Sequence, residues 1–163
     1  MGLKEPGLRG SLRNVSVGIN TIPDSVVSRE PDNDSFTSDG ERGIRIELKS
    51  NWPSIGAKIS ENTENFTTAY LRNEDDELID SKDISDLSSE DTFTFDDVNL
   101  SSGEIFSISL DAGGSGFTNG QNTGETDYPY TSDDLDVIGT YDNGSSTDNG
   151  YRLINDVGNV GFD

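Results

Sequence analysis

The 163 residues contain no cysteine and no histidine. Without cysteine there are no disulfides, no thiolate nucleophile and no sulfur ligand for a metal. Without histidine, zinc chemistry and general-base catalysis near neutral pH lose their commonest side chain. Cations are scarce, with 11 Lys and Arg against 32 Asp and Glu and a formal net charge of −21. A surface of that sign repels phosphates, and no basic stripe laced with aromatics runs along the chain, so nucleic acid is not expected as a partner. No run of about twenty apolar residues occurs, so no membrane span is expected. The first residues, MGLKEPGLRGSLRNVSV, lack an apolar stretch of signal-peptide length, so export by the common secretory route is not expected.

What is present is organised. Apolar residues make up 29% of the chain, a fraction at which disorder is a competing reading. They are not scattered, however, but fall in short alternating runs between turn residues. Ile44, Ile46 and Leu48 alternate with charged neighbours. Ile55, Ala57 and Ile59 follow, then FTTAYLR at 66–72, TFTF at 92–95, IFSISL at 105–110, and the closing runs DLDVIG and GYRLINDV. Alternation at period two marks half-buried strands. Asn73–Glu77 is read as an acidic hairpin turn leading into Leu78 and Ile79, and Leu100–Gly103 as a second turn. Ile84 and Leu87 are read as plugs in an ordered connection. Residues 28–43, SREPDNDSFTSDGERG, read as loop. No stretch holds a helical period over ten residues. The expected fold is all-β, a single antiparallel β-sandwich of jelly-roll type, with an up-and-down barrel as the alternative. Residues 1–40 are expected to form an arm or first strand plus an acidic loop, and 41–163 the sandwich.

Charge divides the chain. Residues 1–15 carry Lys4, Arg9 and Arg13 against Glu5 alone, and the rest is acidic. Leu8, Leu12, Val15, Val17 and Ile19 supply an apolar pattern in the same segment. Leu8, Arg9, Leu12, Arg13, Val15, Val17 and Ile19 are therefore candidates for an arm that docks on a neighbouring subunit, or for a strand of the sandwich itself. The excess of aspartate, 21 residues by count, suits concentrated salt, where like-charge repulsion is screened to a few ångströms.

Three residue groups invite a ligand. Trp52, Tyr128 and Tyr130 offer aromatic faces for a pyranose ring, against the simpler reading of a core plug and a loop anchor. Asp133, Asp134, Asp136, Asp142 and Asp148 offer hard oxygens to calcium or other salt cations. No glutamate closes an EF-hand there, and such clusters arise freely in so acidic a chain. Asn14, Asn33, Asn65, Asn99 and Asn143 each begin an N-x-Ser/Thr sequon. Acid pairs are too frequent to indicate glycoside hydrolysis. With no nucleophile elbow and no phosphate-cradling loop before a helix, enzyme activity is not expected. In the stretch ISLDAGGSGFTNGQNTGETDYPYTSDDLDVI, residues 108–138, two strand ends flank what is read as a long loop at one end of the sandwich, entered at LDAGG and anchored at YPY.

The order of segments over residues 66–138 resembles a β-sandwich module of tailed viruses of halophilic archaea and of some phages. The resemblance rests on TAYLRNEDDELIDSKDISDLSSEDTFTF, VNLSSGEIFSISLDAGGSGFTNG and YPYTSDDLDV. It covers about half the chain, and its motifs are those of turns and strands. It implies a virion surface protein, a capsid turret or decoration or a tail component, assembled in a high-salt host cytoplasm. The implied partners are further copies of the chain and other capsid or tail proteins. Host-surface glycan adhesion, in the manner of a carbohydrate-binding module, is the alternative.

Overall fold

The computed structural model describes residues 34–38, 40–59, 63–111, 117–122, 129–142, 145–148, 153–154 and 157–161; side-chain surroundings are described for 40–59, 63–111, 129 and 131–142. Every regular element among them is a strand. In chain order these are β1 (Asp34–Ser38), β2 (Arg42–Leu48), β3 (Ile55–Ile59), β4 (Thr68–Asn73), β5 (Leu78–Asp83), β6 (Thr92–Phe95), β7 (Ile105–Asp111), β8 (Phe117–Asn122), β9 (Tyr130–Thr131), β10 (Leu135–Asp142), β11 (Ser145–Asp148), β12 (Leu153–Ile154) and β13 (Val157–Gly161). All their pairings are antiparallel. The class is all-β, as the alternating runs predict.

The largest sheet has the order β11-β10-β2-β7-β4-β5, with β9 also paired to β10. Its alternation is the one written in the sequence. Ile44, Ile46 and Leu48 of β2 are buried, as are Phe106, Ile108 and Leu110 of β7 and Ala69 and Leu71 of β4. A second sheet has the order β13-β3-β6. Its Ile55, Ala57, Ile59, Phe93 and Phe95 join the same hydrophobic cluster as the large sheet. Each fully buried Ile, Leu or Phe there contributes about 1.5–3 kcal/mol relative to exposure. Between β2 and β3 the chain passes from one sheet to the other at Asn51-Trp52-Pro53. Trp52 and Leu100 exchange backbone hydrogen bonds at this crossing, at 2.9 and 2.7 Å.

Two bulges redirect side chains. On β10, Val137 faces Ile46 but Gly139 faces Arg45, so Ile138 is the extra residue. Beyond it Thr140 lies opposite Ile44 on the core side, and Tyr141 lies opposite Gly43 on the other face. Gly43 is obligatory for a packing reason: a Cβ there would stand 2.0 Å from the Ile108 carbonyl oxygen. On β5, Asp80 faces Leu71 and Leu78 faces Arg72, which leaves Ile79 without an opposite residue on β4.

A third sheet, β1-β8-β12, corrects two expectations. Residues 28–43 are not loop throughout, because Asp34–Ser38 pairs with Phe117–Asn122 over five registered positions. The loop expected between LDAGG and YPY is not loop throughout either, because β8 lies inside it and β9 begins at Tyr130, while the strand ends expected on either side are present as β7 and β10. β1 and β8 are Ser-, Thr-, Asn- and Gly-rich, with one Phe each. Their ladder therefore comes from backbone pairing and leaves little hydrophobic period to read. The chain rejoins the large sheet at Tyr130–Thr131, which pairs with Val137 and Asp136.

Candidate functional site

The outward face of the large sheet carries a polar knot. Ser107 and Ser109 of β7 are buried, on the side away from the hydrophobic cluster. Glu41, just before β2, accepts from the Ser109 hydroxyl at 3.0 Å and from Arg72 Nε at 2.9 Å, and its other oxygen pairs with Arg72 Nη2. The Arg72 guanidinium also lies 5.3 Å from the centre of the Tyr70 ring. The hydrogen bond to Glu41 holds the Arg72 pKa above its ordinary value, with the charges of Glu41, Tyr141 and Tyr70 acting in the same direction. This is a closed arrangement. Fork-to-fork pairing satisfies both charges and ties the entry of β2 to β4 across the sheet.

Three further described cations are matched to acids. Arg42 meets Asp142 at 2.5 Å, Lys49 meets Asp136 at 2.6 Å, and Lys58 meets Glu90 at 3.2 Å. Lys82 reaches from β5 to the Thr94 carbonyl of β6 at 2.8 Å, linking the two sheets where both end.

The aspartates grouped by sequence do not form one site. Asp133 and Asp134 sit in the β9–β10 turn, which Ser132 caps by accepting from the Asp134 and Leu135 amides. Asp136 follows at the start of β10. Asp142 lies at the far end of that strand, about 20 Å on at some 3.4 Å per residue. Asp136 and Asp142 face Lys49 and Arg42. Asp148 belongs to β11, opposite Gly139, and its side chain lies outside the described residues. Among the described residues no three acidic groups are placed to hold a metal ion.

Of the aromatic candidates, Trp52 is 1% exposed and belongs to the hydrophobic cluster. Its indole N–H donates to Ser50 Oγ at 2.8 Å. The ring presents no face to solvent. Tyr128 and the side chain of Tyr130 lie outside the described residues, as do arm residues Leu8, Arg9, Leu12, Arg13, Val15, Val17 and Ile19. Of the sequon asparagines, Asn65 and Asn99 are exposed on left-handed turns with φ of 65° and 50°.

Two shallow clefts are described. One, of about 250 Å³, lies between the β4–β5 turn and the start of β7, lined by Asn73, Glu74, Asp75, Glu104 and Phe106 among others. The other, of about 340 Å³, is lined by Asn51, Pro53, Asn99 and Ser101 around the edge of Trp52. Neither combines an apolar wall with convergent polar groups as small-molecule sites do.

The sequence marks Leu78 and Ile79 only as the start of a hairpin strand. Leu78 and Ile79, at 53% and 38%, are the exposed large hydrophobics among the described residues. They open β5, which ends the large sheet. The run is visible in the sequence as two adjacent apolar residues after an acidic turn, but only the sheet order shows that they sit on an edge. Among the described residues no helix is long and apolar enough to cross a membrane. Comparison of the chain with protein-family models, curated proteins and solved structures finds no match in any of the three.

Proposed function

We propose that this chain is a structural protein of the virion surface, from a virus of a salt-loving host, and that it works by assembling with copies of itself. The observation that carries the reading is a contrast of charge. Residues 1–15 are net basic and apolar in pattern, on a chain whose total is −21. Such an arm binds an acidic neighbour, while the acidic loops face brine. The pairing of Arg42, Lys49, Lys58 and Arg72 with acids is consistent with this, because it leaves the excess negative charge to the surface.

In this reading the two sheets that share one core form a β-sandwich of jelly-roll type, and the protein is a capsid turret or decoration, or a tail component. The resemblance over residues 66–138 supports that choice. Glycan adhesion through Trp52 has less support, since its ring is buried. The test is removal of residues 1–20, followed by light scattering behind gel filtration in molar salt. The reading expects a folded chain that no longer assembles. A truncated chain with the native oligomeric mass overturns it.

A further inference from the structure

We propose that the free edge of β5, Leu78–Asp83, is the seat for residues 11–20 of a neighbouring copy, which add to the large sheet as a further strand. This rests on the assembly reading above and names the surface that the arm binds.

β5 ends the large sheet, and among the described residues no strand pairs with its outer side. An unpaired edge presents backbone donors and acceptors to any arriving strand. Folded proteins usually blunt such an edge with charge or a bulge, and β5 carries both, yet two large apolar residues stand exposed at its start. Leu78 and Ile79 keep 53% and 38% of their surface in the single chain. In the proposal, a second copy covers them.

The charges match the same occupant. Residues 74–83 hold Glu74, Asp75, Asp76, Glu77, Asp80 and Asp83 against Lys82 alone, and the Lys82 ammonium is held by the Thr94 carbonyl. The occupant brings Arg13 and no acid, and Lys4 and Arg9 lie just before it. In strong salt this attraction acts only at contact, which favours register over long-range steering. Val15, Val17 and Ile19 alternate, so an added strand lays them on one face of the sheet. The reach is ample. Thirteen residues separate Ile19 and Asn20 from β1, a span of up to about 45 Å when extended. In the single chain, Asp80 Oδ1 accepts from the Ser81 N–H at 2.8 Å. This local cap is one that a carbonyl of the arriving strand replaces.

The absence of cysteine makes the test clean. Full-length Val17→Cys and Ser81→Cys are prepared separately, mixed in molar salt and oxidised. The proposal expects a disulfide-linked pair in the mixture, and none when Val17→Cys is mixed with Asp133→Cys, an exposed site on another turn. A second arm uses Leu78→Lys with Ile79→Lys, both exposed, checked for folding by circular dichroism. Association at least tenfold weaker is expected. If removal of residues 1–20 abolishes assembly while the double lysine variant assembles normally and no Val17–Ser81 link forms, the β5 seat is overturned and the arm reading stands. If the link forms only within one chain carrying both cysteines, docking between copies is overturned. If neither the truncation nor the double variant changes the oligomer, both readings fall.

Discussion

Arg72 on β4 and Glu41 before β2 are 31 residues apart in sequence and joined side by side, with Nε donating to Oε2 at 2.9 Å. Their side chains keep 18% and 15% of their surface. The pair also takes in Ser109, so three segments of the large sheet meet at one carboxylate.

Replacing Glu41 with Ala leaves the Arg72 charge mostly buried beside Tyr70 and Ser109 without its partner. Loss of one member of a buried pair costs about 3–5 kcal/mol, and the solvent that reaches this pair puts the expected loss near the lower end. Urea unfolding at fixed high salt measures it, with the midpoint shifting and the slope unchanged.

Trp52→Ala should behave as a core deletion. The indole is buried and packed in the hydrophobic cluster, so the expected cost is about 3–5 kcal/mol. Trp52→Phe, which keeps most of the volume, should cost clearly less. A Trp52→Ala protein as stable as the parent would show that the ring is not a core element.

Asp83 offers a titration with a defined sign. Its carboxylate accepts from the Ser85 hydroxyl at 2.7 Å and from the Ser85 amide at 3.0 Å. These bonds hold its pKa below the ordinary aspartate range. The folded value lies below the unfolded one. The stability it adds is therefore present above the unfolded pKa and is lost as pH falls through the folded pKa. Carboxyl-detected NMR should find Asp83 titrating below the ordinary aspartate range. In Ser85→Ala it should move upward, but only part of the way, since the amide bond remains.

The total charge of −21 predicts a salt requirement. The screening length falls from about 10 Å at 0.1 M to about 3 Å at 1 M, which weakens repulsion across an acidic surface. The melting temperature should rise steadily over that range, and the fold should loosen below about 0.5 M. A melting temperature independent of salt contradicts the brine adaptation.

Legibility in the sequence followed the hydrophobic period. β2 and β7 alternate strictly, and both face the core as read. β1 and β8 escaped notice because Asp34–Ser38 and Phe117–Asn122 carry one Phe each and are otherwise polar or Gly. Backbone pairing alone defines them, and no local pattern announces its partner. Tyr141 shows a subtler limit. Counting by twos from Val137 places it in the core, whereas the bulge at Ile138 turns it to the opposite face over Gly43. The aspartate group looked compact in sequence because Asp133–Asp142 spans ten positions, but an extended strand separates its ends. The edge position of Leu78 and Ile79 depends on strand order, which is a property of the whole sheet.

The central claim is that the chain assembles with itself. Sedimentation equilibrium of the 163-residue protein in molar salt tests this most directly. The account predicts a mass that is a whole multiple of 17.6 kDa and greater than one chain. A single species of 17.6 kDa at every protein concentration and salt level would contradict it.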